Sequence, residues 1–434
     1  MIDIQTQKFT ENTLSLRWFF PLERKTITAL NLLTLMLSAR SKKFPSRQAI
    51  STAASHAYGL HSGYGLFGYG NKVLVEYRIS WIREELIDEE GYANEVLTMM
   101  DENLNHPLFS EEYLQEAKYL LQQRLLSLSQ DPDTRALQEA LKAAGKDKGL
   151  GIQIYGYLED LPAITLEEVE ALYQQLHDTE NQTLVAGSLC APIHSYVEKN
   201  WPGKPVEASW QAFKPQEPVS IHLEKEISQS SLAQVYTTGI LPQDPRSFAL
   251  IVLNALLGSS SVSLLFEIIR EQHSYCYSIS SSLIRFDGLL LIQTATDSSH
   301  MDDVKRLIAE ILSDVAQKKF SDDTFDMVKK EVCSNMAGQK DSAISLLEQA
   351  FLNEILHRPL SNAEMIEKIQ AVTKDDVAAI ARDLHLISSA ELVQKETEES
   401  EEADEQNDRP DSTAEAAASE SKSSAKTAGK GEEE

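Results

Sequence analysis

Residues 29–46, ALNLLTLMLSARSKKFPS, decide how the rest of the chain is interpreted. The first nine positions are apolar except for Asn31 and Thr34, and this density predicts a helix that is buried on most of its surface. A basic turn follows, and Pro45 then prevents the helix from continuing. Ser46 can accept a backbone hydrogen bond as the N-cap of a second helix. The stretch therefore predicts a buried helix, a turn and a capped helix in close succession.

The order of elements around this helix recurs about 220 residues later. Residues 13–20 predict a strand that leads into the first helix, and residues 232–240 predict a strand that leads into a second buried helix at 247–258. Paired strands are predicted after each of these helices. Thr165 and Thr373 each open a later helix with a capping box. We therefore predict two tandem copies of one α+β domain.

Composition divides the chain into four predicted segments. The two domains are expected at residues 1–204 and 220–393, joined by a proline-containing linker at 205–219 that has little periodicity. From residue 394 onwards the chain is rich in Glu, Ser and Ala and has no aromatic residue. Such a segment cannot bury enough apolar surface to fold, so residues 394–434 are predicted to form a disordered acidic tail.

Charge and cysteine content narrow the possible partners and compartment. The formal net charge of -27 argues against nucleic acid, because binding to phosphates requires an excess of Lys and Arg. The three cysteines show no C-x-x-C spacing, so neither a disulfide framework nor a cysteine metal site is predicted. The first residues do not have the pattern of a signal peptide, and no apolar run is long enough to span a membrane. We expect a cytoplasmic protein with no membrane partner.

The 29–46 passage resembles the active-site helix of the insulinase/pitrilysin family of zinc peptidases, which carries the inverted zinc motif H-x-x-E-H. Placing that motif on this helix puts Asn31 and Leu35 at the two histidine positions and Thr34 at the position of the catalytic glutamate. The third zinc ligand of the family aligns with Arg124, whose charge would repel a metal ion. Leucine cannot bind zinc, asparagine binds it poorly, and threonine is no base near neutral pH. We expect no zinc on this chain.

The resemblance covers about residues 10–392 and implies two tandem insulinase-like domains. Each would be a mostly antiparallel sheet packed with helices, and the pair would form half of a clam shell. The loss of the metal ligands implies a non-catalytic member. The chain looks most like a bacterial subgroup in which a protein without zinc ligands is paired with a homologue that carries H-x-x-E-H.

The second half keeps a passage that matches the family more closely. Residues 258–270, GSSSVSLLFEIIR, and then 275–278, YCYS, are similar to the family segment whose arginine and tyrosine face the zinc from the second domain. That resemblance makes Arg270 and Tyr277 candidate substrate-binding residues. A guanidinium and a phenol are donors suited to a polarised carbonyl oxygen. The alternative interpretation is structural, with Arg270 as a helix-end cation and Tyr277 as a strand aromatic.

Three functional hypotheses remain open from the sequence. The leading one is a non-catalytic subunit of a heterodimeric insulinase-type zinc peptidase, in which the partner supplies zinc and this chain supplies substrate-binding surface for peptides or small proteins. A self-dimer is an alternative assembly. The rival function is a structural or peptide-binding scaffold with no proteolytic role. The third is an enzyme with an unrecognised metal site.

Overall fold

The predicted order of strands and helices is present in both halves of the chain. The computed structural model of the protein describes residues 1–145, 149–179, 181–205, 207–227 and 229–395. The acidic tail predicted at 394–434 lies outside the described residues, except for its first two positions. In this described part, no helix is both long and apolar enough to cross a lipid bilayer.

The first half builds one mixed sheet with helices against it. Its strands lie in the order β1-β5-β2-β4-β3; β1 and β5 are parallel, and the other neighbours are antiparallel. In chain order the elements are β1 (Ile2–Gln5), β2 (Glu11–Pro21), α1 (Ile27–Leu37), α2 (Arg47–His56), β3 (His61–Tyr69), β4 (Lys72–Ile82), α3 (Tyr92–Asn105), α4 (Glu111–Gln130), α5 (Pro132–Gly145), α6 (Leu166–Asp178), β5 (Gln182–Gly187) and α7 (Ala191–Asn200).

The second half repeats this topology. Its sheet has the order β6-β10-β7-β9-β8, again with one parallel pair, β6 with β10, at the equivalent edge. The elements are β6 (Val219–Lys225), β7 (Ser230–Thr237), α8 (Ser247–Asn254), β8 (Cys276–Ile284), β9 (Leu289–Thr296), α9 (Met301–Ala316), α10 (Asp322–Gly338), α11 (Ala343–Ile355), α12 (Asn362–Ala371), α13 (Lys374–Arg382) and β10 (His385–Gln394). The predicted α+β repeat is confirmed.

Local sequence signals account for the ends of several helices. Ten of the eleven residues of α1 are buried, as its apolar density predicts. The Ser46 hydroxyl accepts the backbone N–H of Ala49 at 3.1 Å and so caps α2. Both predicted capping boxes are present, at Thr165 and at Thr373. These local signals therefore determine where the helices begin.

Helix α5 of the first half packs on the sheet of the second half. Its buried stripe is Ala136, Ala140 and Ala144, which contact the apolar side of β7 and β10. Alanines spaced four apart lie on one helix face and let the helix approach a sheet closely. The Ser388 hydroxyl of β10 donates to the carbonyl oxygen of Ala140 at 2.8 Å and fixes the contact.

Helix α11 makes the reciprocal contact with the sheet of the first half. Phe351 is fully buried against this sheet in a cluster with Leu74 and Leu184. The guanidinium of Arg17, buried on β2, lies 4.3 Å above the Phe351 ring and pairs with Glu348 at 2.8 Å. Each sheet therefore has one face covered by its own helices and the other by a helix from the opposite half.

A buried tryptophan joins the two halves within the predicted linker. The indole nitrogen of Trp210 donates to the carbonyl oxygen of Tyr69 at 2.8 Å, and its ring packs on Phe286 with centroids 4.6 Å apart. Tyr69 ends β3 of the first half and Phe286 follows β8 of the second. The segment carrying Trp210 is therefore anchored to both sheets.

Candidate functional site

The three zinc-motif positions on α1 are engaged in packing. Asn31 is 4% exposed, and its amide nitrogen donates to the carbonyl oxygens of Ile27 and Ile154, each at 2.9 Å. The Thr34 hydroxyl donates to the carbonyl oxygen of Asn31 at 2.9 Å. Leu35 is half-buried against the core of the first half. The hydrogen bonds of Asn31 and Thr34 and the packing of Leu35 therefore hold all three side chains in the local structure of the first half.

A segment of the chain's own backbone covers this region of α1. In this segment, the carbonyl oxygen of Ile154 accepts from the amide of Asn31. The next residue, Tyr155, contacts Arg124 on the exposed side of α4: the guanidinium carbon of Arg124 lies 4.5 Å from the centroid of the tyrosine ring. The segment turns at Gly156, where φ is 87° and an added Cβ would lie 2.9 Å from the Thr28 hydroxyl. The sequence does not predict this cover, since nothing in the segment's composition indicates which helix it contacts.

The described residues do not fit a zinc ion. Among them, no group of three or more His, Cys, Asp or Glu side chains is placed to hold a metal. The positions that align with the family's ligands are an amide, an aliphatic side chain and a cation, and the first already bonds two carbonyl oxygens. The chemistry of this donor set excludes the family's zinc site here.

The structure brings Arg270 and Tyr277 together. The Arg270 guanidinium carbon lies 5.6 Å from the centroid of the Tyr277 ring and 4.5 Å from that of Phe266. Tyr277 is 79% exposed, whereas Arg270 is partly exposed and pairs with Glu271 at 3.2 Å. The two predicted site residues therefore form one surface feature.

Irregular backbone positions both of these side chains. Arg270 lies on a π-helical segment, Phe266–Gln272, and the tyrosine is the extra residue of a β-bulge between Cys276 and Ser278 on β8. π-Helical turns and β-bulges reorient side chains and are frequent at functional sites. The first-half hairpin of β3 and β4 shows no such register shift. Sequence patterns do not indicate either irregularity.

The serine loop that precedes Arg270 is held by a carboxylate. Helix α8 continues as a second π-helical segment, Ala255–Ser259, so the predicted helix at 247–258 is α-helical only in its first part. Glu331 then accepts from the hydroxyls of Ser260 and Ser261 at 3.0 and 2.8 Å. Burial acts to raise the pKa of Glu331, but these hydrogen bonds outweigh it and lower the pKa. The anchored loop fixes the start of the segment that carries the arginine.

The chain is similar to proteins that are named as inactive members of the M16, or insulinase-type, peptidases. A family model described as the peptidase M16 inactive domain matches residues 163–332. A probable inactive metalloprotease of Bacillus subtilis strain 168, YmfF, is 22% identical over 88% of this chain and 93% of its own length. An uncharacterized zinc protease of the same strain, YmxG, is 26% identical over 69% of this chain and 74% of its own length.

Solved structures agree with these sequence comparisons. A conserved protein from Enterococcus faecalis V583 superposes with a TM-score of 0.84 at 24% identity, covering 91% of this chain and 96% of that one. A peptidase M16 inactive domain from Pseudomonas fluorescens superposes with a TM-score of 0.75 at 17% identity, with the same coverage of both chains. The chain is thus similar in sequence and fold to M16-type, or insulinase/pitrilysin, peptidases and to inactive proteins among them, and its zinc-motif positions hold Asn31, Thr34, Leu35 and Arg124.

Proposed function

We propose that this chain is the non-catalytic subunit of a heterodimeric insulinase-type zinc peptidase. It contributes substrate-binding surface to a homologous partner that carries the zinc and cleaves peptides or small proteins. One observation carries the proposal: α1 offers no metal ligand, while Arg270 and Tyr277 stand together at the surface on two irregular backbone segments. The chain has lost the chemistry of the family and kept a polar contact surface.

The chemistry of this surface suits a peptide backbone. The guanidinium of Arg270 has several N–H donors in one plane, and the exposed phenol of Tyr277 adds an O–H donor beside it. Strand β8, which carries the tyrosine, is an edge strand of the described sheet. Edge strands pair with extended peptides through their free backbone groups. A substrate held along β8 would bring its carbonyl oxygens to these donors.

The relatives support pairing of two homologous chains. One strain of Bacillus subtilis has both a relative named as a probable inactive metalloprotease and a relative named as a zinc protease. The inactive relative matches this chain over nearly its whole length. The partner we propose is therefore a zinc-bearing homologue encoded in the same genome. The proposed compartment is the cytosol, which the three free cysteines support.

The test is co-expression of this chain with the zinc-bearing homologue of its own genome. We expect the two chains to co-purify and to cleave a quenched fluorescent peptide library that neither chain cleaves alone. Arg270→Ala in the complex should lower kcat/KM at least tenfold, and Tyr277→Phe should lower it less. Arg306→Ala is the matched control, because Arg306 is an exposed arginine whose ion pairs with described residues are to neighbours on its own helix.

Two outcomes would contradict the proposal. If Arg270→Ala leaves kcat/KM unchanged in an active complex, the composite substrate surface is wrong. If the chain forms a stable self-dimer that captures peptides and never alters the activity of the zinc-bearing homologue, the structural or peptide-binding scaffold is the better description.

A further inference from the structure

A cleft of about 520 Å³ lies where the two halves meet. Its walls are formed by Leu137 and Leu141 of α5, the first-half helix that packs on the second sheet, by the segment 149–155, and by residues at the ends of β3 and β8. Neither Arg270 nor Tyr277 lines it. The volume is typical of sites that bind small organic molecules. The cleft is thus separate from the surface proposed to hold substrate.

The described wall of the cleft is mostly apolar, with the polar residues Thr134, Gln138 and Gln153 and two charged residues among its lining. Aliphatic side chains and the aromatic rings of Tyr155 and Phe286 form most of its lining. Among the described residues, the charged members of the lining are Arg285, which is exposed, and Asp287, which is 8% exposed. Apolar walls of this kind favour a ligand with a hydrocarbon body.

Asp287 has no partner for its carboxyl group among the described residues. Its backbone carbonyl accepts from Phe213 at 2.9 Å, but no described donor bonds to the carboxyl oxygens, and burial is the sole cause of the shift in its pKa. Burial raises the pKa of this carboxyl to about 6. A buried charge is normally paired, since removing it from water without a partner is costly. The group is therefore available to a charge brought by a ligand.

We propose that this cleft binds a ligand with an apolar chain and a protonated amine, and that the amine pairs with the carboxylate of Asp287. A neutral ligand would leave the buried carboxylate unpaired, and an anionic one would be repelled by it. Arg285 lies at the exposed rim, where water and salt screen its charge. The amine can belong to a small alkylamine or to a lysine of an apolar peptide, because both present the same head group and hydrocarbon.

The test is calorimetric titration of the isolated full-length chain at pH 7.5. The probes are decylamine, decanol and decanoate below their aggregation concentrations, together with a leucine-rich peptide containing one lysine. We expect decylamine to bind at least tenfold more tightly than decanol, and decanoate to bind least. Asp287→Asn should remove the preference for the amine, whereas Asp326→Asn, at an exposed aspartate on α10, should preserve it.

A second variant separates the cleft from general folding effects. Leu137→Trp fills the wall from α5 and should weaken decylamine and decanol together, with the unfolding transition retained. Peptide binding without alkylamine binding would assign the amine to a lysine side chain, and the reverse would assign it to a free amphipathic amine. The proposal is overturned if no amine probe binds, or if Asp287→Asn leaves the order of the three decyl compounds unchanged. These titrations contain no zinc-bearing subunit, so their failure leaves the proposed peptidase partnership unaffected.

Discussion

Replacing Asp287 by asparagine is expected to stabilise the protein at neutral pH. The carboxyl group is buried beside the inter-half cleft, and burial raises its pKa from the ordinary value of 3.8 to about 6. The folded chain therefore keeps a proton that the unfolded chain releases between these two values. Because the folded state binds more protons, the free energy of unfolding falls as pH rises through this window. Asparagine is neutral at every pH, so the free energy of unfolding of the variant does not fall in this way as pH rises.

The size of the effect follows from the two pKa values. The gap between 3.8 and about 6 corresponds to roughly 3 kcal/mol, at about 1.4 kcal/mol for each tenfold change in the protonation constant. The full difference applies above about pH 6.5, and about half of it at pH 5. Below the unfolded value of 3.8 the carboxyl is protonated in both states, and the difference disappears.

Urea unfolding of the variant and the natural chain at pH 5.0, 6.0 and 7.5 measures this difference directly. The variant's advantage should grow by roughly 1–2 kcal/mol between pH 5.0 and 7.5. Asp326→Asn, at an exposed aspartate, should show no such growth. A difference that stays constant with pH would refute the reasoning, as would one that becomes unfavourable as pH rises. Saturating decylamine should narrow the difference, because a bound amine would pair with the natural carboxylate.

Three further variants test the packing of the core and the cover over the zinc-motif positions of α1. Phe351→Ala removes a fully buried ring from α11 and should lower the free energy of unfolding by about 3–5 kcal/mol, whereas the exposed Ile344→Ala should change it by less than about 0.5 kcal/mol. Gly258→Ala would place a Cβ 2.5 Å from the backbone nitrogen of Ser281 and should cost roughly 1–3 kcal/mol in thermal or urea unfolding. A combined variant restores the family's zinc-motif side chains through Asn31→His, Thr34→Glu, Leu35→His and Arg124→Glu. Metal analysis of this variant should find no stoichiometric zinc, because the Ile154 carbonyl and the segment around it cover that face of α1.

The repeat and its helix boundaries could be predicted because they depend on local signals. The apolar density of α1, the N-cap at Ser46 and the capping boxes at Thr165 and Thr373 act within a few residues of the chain. The same signals occur in the same order in both halves, so the second copy supports the first. The prediction that this chain binds no zinc rests on a related argument: the side chains at the motif positions do not suit the chemistry, wherever they point.

The packing of α5 and α11 on the sheet of the opposite half could not be predicted from the sequence. The alanine stripe of α5 shows that one face is buried, but periodicity does not say which sheet it meets. The covering contact from Ile154 to Asn31 links positions 123 residues apart in sequence and rests on backbone geometry. The π-helical segment and the bulge that orient Arg270 and Tyr277 are also set by tertiary packing, so the pair was identified only through family resemblance.

The reciprocal placement of α5 and α11 constrains the order in which the chain can mature on the ribosome. The first sheet is complete once β5 has emerged, but its outer face stays uncovered until α11 follows, more than 150 residues later. Helix α5 in turn lacks part of the sheet that it packs on until β10, whose last residue is Gln394, has been synthesised. Neither half can therefore finish folding as an independent unit during synthesis. It also follows that neither copy of the repeat can be expressed as a separate gene product without leaving one apolar sheet face open to aggregation.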